Sequence, residues 1–229
     1  MIISHEHKFI FIKTAKTAGT SIEVFLSRWC GKEDIVTPIQ PAIDGHQPRN
    51  HEQFIDPIAE LISRPEGLRR ALRNVFAKRQ KFYNHMPAWL VQQRLPASVW
   101  NSYFKFCVER NPWDKVLSHY YMAASRADGS LSLDQYLSKG RFPINYFRYT
   151  DRSGALIIVD RVVRYENLNN DLAEVFSQVK VAFNGSLGVR AKSDYRTDRR
   201  PYQSAFNDGQ RRIVEQAFAR EIELHGYRF

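Results

Sequence analysis

An α/β fold, with a small and mostly parallel sheet sandwiched between helices, is what this sequence predicts, and two observations carry it. Two β-rich runs each lead through a loop into an amphipathic helical run, and a further apolar run between helical stretches supplies more strand in the second half. At 229 residues and 43% hydrophobic, the chain suits one sizeable domain spanning residues 1–229. Aromatic residues are spread along its whole length, which argues against long disordered tails, and no internal repeat is present.

The first unit begins with His7 to Lys13 (HKFIFIK), a short strand, followed by the small-residue turn TAKTAGTS and the helical run IEVFLSRW. Gly31 stops that helix, and Pro38, Pro41, Gly45 and Pro48 punctuate a loop from Lys32 to Asn50. Phe54 to Lys81 is expected to be mainly helical with breaks at Pro57, Pro65 and Gly67, and Met86 to Arg94 forms another short helix. Tyr103 to Glu109 alternates like a buried strand, Asn111-Pro112 breaks it, and WDKVLSHYYMAA resumes with helical spacing. Leu131 to Lys139 is a helix capped near Ser130 or Ser132, Ala155 to Tyr165 is one or two strands, and Glu166 to Gln178 returns to helix. A basic loop from Gly185 to Tyr202 precedes one last helix, Asp208 to Leu224, closed by Gly226.

The net charge of +10 implies attraction to polyanions, without choosing among nucleic acid, glycan, membrane surface and a phosphorylated ligand. Cys30 and Cys107 are too few and too far apart for a disulfide framework or structural zinc site, which fits a reducing compartment. No apolar run approaches the roughly 18 to 20 residues of a transmembrane helix, so an unanchored cytoplasmic protein is expected.

Lys13 to Ser21 has the composition of an anion cradle. Small residues let backbone amides approach a phosphate, the following helix offers its positive end, and lysine adds full charge. It is not a Walker A loop, because Gly19 stands where a lysine should directly precede Thr20.

KTAKTAGTS after a first strand, with VERNPWDKVLSHYY after a later one, resembles the two signatures by which sulfotransferases bind 3′-phosphoadenosine-5′-phosphosulfate (PAPS), especially in the carbohydrate sulfotransferase group, sulfotransferase family 2. FYNHMPAWLVQQRLP, RYENLNNDL and the ending EIELHGYRF are similar to further landmarks of that family, in the same order. The resemblance implies a P-loop-like three-layer sandwich and transfer of a sulfonate from PAPS to a hydroxyl acceptor, leaving adenosine 3′,5′-bisphosphate. It implies that Lys16, Thr17, Gly19, Thr20 and Ser21 hold the 5′-phosphosulfate, with Lys16 nearest the reacting bond, and that Arg110 and Ser118 bind the 3′-phosphate. His85 matches the histidine implied to be the catalytic base, and neutral imidazole suits that task. No metal is required.

Blander roles compete: an Arg110–Asp114 ion pair, a solvent-facing Ser118, and a helix-capping His85, with His51 as the next candidate base. Of the late basic loop, Arg199 and Arg200 are the candidates for contact with the nucleotide, alongside Arg190, Lys192 and Arg196. Glu166 is expected to be structural, since a bare carboxylate beside an anionic donor is repelled. The acceptor is expected to be a carbohydrate, neutral or acidic, with residues 32–81 as an acceptor-side insertion whose Arg69, Arg70, Arg73, Lys78 and Arg79 would suit an acidic sugar or merely face solvent. No nucleic-acid partner is expected. A P-loop kinase-like phosphotransferase and a non-catalytic polyanion-binding protein are the rival readings.

Overall fold

A computed structural model describes residues 1–53, 80–189, 195, 196, 198 and 200–229. Most of the 32–81 segment, and with it the helical expectation over 54–79, therefore lies outside the described residues, as do Arg190, Lys192 and Arg199.

Among the described residues five strands form one mixed sheet: β1 (Ile2–Ser4), β2 (Phe9–Ile12), β3 (Ile35–Val36), β4 (Phe104–Glu109) and β5 (Arg161–Arg164), in the order β3-β1-β2-β4-β5. β2, β4 and β5 are parallel, whereas β1 runs antiparallel to both β2 and β3. β1 and β3 were not expected: at three and two residues they are too short to show alternation. The strand expected over Ala155 to Tyr165 is confined to β5, and the residues before it turn back so that Ile157 bridges Thr150.

Side chains alternate across the sheet as the pleat requires. Phe9, Phe11, Phe106 and Val163 pack on one face against Ile22, Phe25 and Leu26 of α1 (Gly19–Ser27) and Leu172, Val175 and Phe176 of a later helix, Leu168–Gln178. Ile3, Ile10, Ile12 and Cys107 pack on the other face against α2 (Ala88–Arg94) and Trp100 of α3 (Ala97–Ser102). A third cluster joins α4 (Pro112–Arg126), α5 (Leu133–Ser138) and the C-terminal helices.

Among the described residues, four α-helices follow α5: α6 (Tyr146–Tyr149), α7 (Leu168–Gln178), α8 (Asp208–Ala217) and α9 (Ala219–His225). Neither α3 nor α6 was expected, and the single last helix is two, broken at Phe218, where φ is −109° and ψ 18°. Both fragments keep hydrophobic residues on the core side, so periodicity alone reads through the break. Among the described residues no helix is long and apolar enough to cross a membrane.

The connection from β2 leads to β3 on one side of the sheet and that from β4 to β5 on the other, so the adjacent β2 and β4 ends flank a topological switch point. In open α/β sheets such carboxyl ends border a crevice where ligands bind. A buried charge cluster braces this edge: Lys115 Nζ lies 2.7 Å from Glu109 Oε1 and 2.6 Å from Glu221 Oε2, all three side chains fully excluded from water. Tyr149 donates its hydroxyl hydrogen to Glu109 at 3.0 Å.

Replacing Lys115 with methionine would leave two carboxylates buried without their cation. K115M is expected to lose about 3–5 kcal/mol of stability, read as a lower urea midpoint.

Candidate functional site

The loop between β2 and α1 is shaped by strained backbone. Lys16 and Ala18 both have left-handed φ, 63° and 58°, each at a cost of roughly 1–2 kcal/mol for a residue with a Cβ. Turning the chain this way aims successive amides to one side. Gly19 is required by close approach: a Cβ there would lie 2.9 Å from Lys13 Cγ and 3.3 Å from the Thr14 carbonyl oxygen. α1 then opens without a side-chain cap and without an acid in its first turn. By contrast α4 is capped by Asn111, and α5 and α8 carry full capping boxes. A bare helix start of this kind favours an anion.

This loop, with His85, Arg110 and Ser118, lines one cleft of about 1200 Å³. Thr17, Gly19, Thr20, Ser21 and Lys16 all border it, as does Met122, whose Sδ lies 3.7 Å from Lys16 Nζ. Lys13 borders it too, but its ammonium turns away to Glu23 at 2.6 Å, a buried ion pair, so that lysine braces the loop and Lys16 is the one on the cleft side. No Asp or Glu is found among the described lining residues, against Lys16, Arg110, Arg126 and Arg196.

His85 also has left-handed φ, 60°. Its Nδ1 is 3.1 Å from the Lys13 carbonyl oxygen, which only accepts, so Nδ1 carries the proton and Nε2 keeps the lone pair. Arg148 donates to the His85 carbonyl oxygen. Burial, then the charges of Lys13 and Arg148, push the imidazole down to about 3, so it is neutral at pH 7. His51 is not among the lining residues and sits 3.5 Å from Glu52.

Arg110 does both things the sequence allowed. It pairs with Asp114 through Nε (2.8 Å) and Nη2 (2.6 Å), and it still borders the cleft, its guanidinium 4.0 Å over the Tyr165 ring and Nη1 donating to the Lys16 carbonyl at 3.2 Å. Asp114 holds a second guanidinium, that of Arg196, at 2.6 Å. Among the described basic residues of the late loop, Arg196 lines the cleft. Arg200 does not line it; its side chain is exposed and bound to Asp198 at 2.7 Å. Glu166 accepts from the Asn111 amide at 2.6 Å, and Arg164 donates to the His225 carbonyl.

Asn145, just before α6, ties the loop to the buried cluster. Its amide group accepts from Ala15 N at 2.8 Å and donates to Ala15 O at 3.0 Å, and its own backbone N–H goes to Glu221. One short helix thus holds the cradle through Asn145 and the His85 loop through Arg148.

Sequence reasoning missed His119, Arg126 and Asn145. His119 borders the cleft one residue beyond Ser118, and its Nδ1 lies 2.7 Å from the Tyr136 hydroxyl. Its position inside the second motif was the available signal; nothing local marked Asn145, whose partner Ala15 lies 130 residues away and whose partner Glu221 lies 76 residues away.

No protein-family model matches the chain. An uncharacterized protein of Archaeoglobus fulgidus is 35% identical over 98 residues, which cover 41% of this chain and 82% of that protein.

Two outcomes are expected. G19A should lose about 1–3 kcal/mol, since the buried Lys13 stem and Thr14 backbone must shift to admit the methyl group, and its melting temperature should fall accordingly. Burial holds His85 down to about 3, and His119 and His225 to about 4, well below the ordinary ~6.5 of an unfolded chain. Between those values the unfolded chain binds protons that the folded one refuses, so these groups lower stability as pH falls through 6.5 towards 4. Thermal melts from pH 7 to 5 should show that decline, and H85N should flatten it.

Proposed function

We propose that this chain, which belongs to one family with the uncharacterized Archaeoglobus fulgidus protein, is a sulfotransferase carrying a sulfonate from PAPS to a hydroxyl of a carbohydrate acceptor. One observation carries the proposal: Lys16 to Ser21, His85, Arg110 and Ser118, drawn from three separate stretches of chain, line a single cleft without a carboxylate among its described lining residues. On this reading the fold is a P-loop-like three-layer sandwich, with the β2–loop–α1 unit as its cradle, and the enzyme works in the cytoplasm.

The donor lies with its 5′-phosphosulfate along the start of α1, against Thr17, Thr20 and Ser21, and its 3′-phosphate towards Arg110 and Ser118. Tyr165, Leu168 and Leu187 offer an apolar wall for the base. His85 Nε2 takes the acceptor's hydroxyl proton as the acceptor oxygen bonds to sulfur. The bond from sulfur to the 5′-phosphate oxygen breaks, and its electron pair stays on that oxygen beside Lys16. Alignment and charge stabilisation supply most of the rate, as in phosphoryl transfer. An imidazole held down to about 3 is a weak base, but a bound polyanion offsets the lysine and arginine charges and raises its proton affinity.

The test is a set of thermal melts with adenosine 3′,5′-bisphosphate, AMP, ADP, and ATP with magnesium. At about 100 times its dissociation constant a ligand adds roughly 2.7 kcal/mol, a shift of several degrees. A shift with the 3′,5′-bisphosphate alone is expected; a shift with ATP alone would move the assignment to a kinase. H85A should keep the bisphosphate shift and lose about 10²- to 10⁴-fold in sulfonate transfer, and near-normal turnover would remove His85 as the base.

A further inference from the structure

The two ends of the cleft differ in charge pairing, and α4 measures the distance between them. Asp114, Ser118, Met122 and Arg126 recur at four-residue spacing, one stripe advancing about 6 Å per step. At the first end Arg110 and Arg196 share Asp114. Midway, Lys16 meets Met122, which sets the level of the reacting group. One turn further on, Arg126 borders the same cleft, exposed, and has no hydrogen bond or ion pair with any described residue.

That final position lies beyond Lys16 as seen from the proposed 3′-phosphate end, on the side left for the acceptor. We propose that Arg126, with His119 beside it, binds an anionic group, carboxylate or sulfate, carried by the acceptor near its reacting hydroxyl; this rests on the sulfotransferase reading. A guanidinium suits either group, since its planar fork binds two oxygens at once. A cation with no partner among the described residues, in a cleft whose described lining holds no carboxylate, also draws anions towards it. His119 feels both Lys16 and Arg126, and burial together with these charges keeps it neutral at pH 7. It therefore serves as a hydrogen-bonding neighbour, and the charge selectivity belongs to Arg126.

The experiment uses the full chain saturated with adenosine 3′,5′-bisphosphate, so that the donor cations are occupied. Methyl glucuronide, glucose 6-sulfate and methyl glucoside are then titrated by calorimetry at low and moderate salt. Tighter binding of one or both charged sugars is expected, weakening with salt, and the stronger arm identifies carboxylate or sulfate. R126Q should reduce that preference roughly tenfold, R126K should keep part of it, and R126E should abolish it. Absence of any charged-over-neutral preference, including no binding of any sugar, overturns the inference while the bisphosphate shift leaves the donor reading intact. Absence of the bisphosphate shift itself removes both.

Discussion

A single buried ammonium organises the working edge of this protein. Lys115 sits between Glu109, the last residue of β4, and Glu221 of α9, all three side chains fully buried. Taking three charges out of water is costly, and the arrangement survives only because each carboxylate is also hydrogen-bonded. Glu109 accepts from the Arg110 amide and from Tyr149, while Glu221 accepts from the Asn145 and Tyr146 amides. Burial and the charge of Glu109 raise the proton affinity of Glu221 against the pull of Lys115. The cluster thereby joins the end of a strand, the start of the second motif and a C-terminal helix at one point.

From that point the order of the cleft follows. Asn145 transfers the rigidity of the cluster to Ala15, and so to a loop whose left-handed residues would not hold their conformation alone. Arg148, three residues on, secures the His85 backbone in the same way. Asp114 keeps Arg110 and Arg196 apart from mutual repulsion while leaving both at the cleft wall. The site is preorganised by groups that do not themselves face a ligand, which is how oriented charge is kept from relaxing.

Much of this was legible in local pattern. The β2–loop–α1 and β4–α4 units were visible because strand alternation, small loop residues and helical spacing are neighbours in the chain, and a serine cap near 130 or 132 was visible too, of which Ser132 is the one that caps α5. What escaped were elements whose stability is borrowed: β1 and β3, too short to show a period, and α6, a four-residue helix fastened by Glu221 and Glu109 from elsewhere. The late loop shows the same limit in side chains. Its basic composition was plain, but choosing Arg196 over Arg200 depended on which guanidinium reached Asp114 and which fell to Asp198.

The sequence by itself determined the α/β character, the two strand–loop–helix units and the residue types able to hold an anion, because these depend on backbone preference and spacing within a few residues. Tertiary structure alone decided that Lys13 braces while Lys16 faces the cleft, that the proton of His85 sits on Nδ1, and that Arg126 stands without a partner among the described residues. Each of these depends on a partner distant in sequence or on the absence of one, and pairing of buried charge is settled only when the chain has brought those groups together.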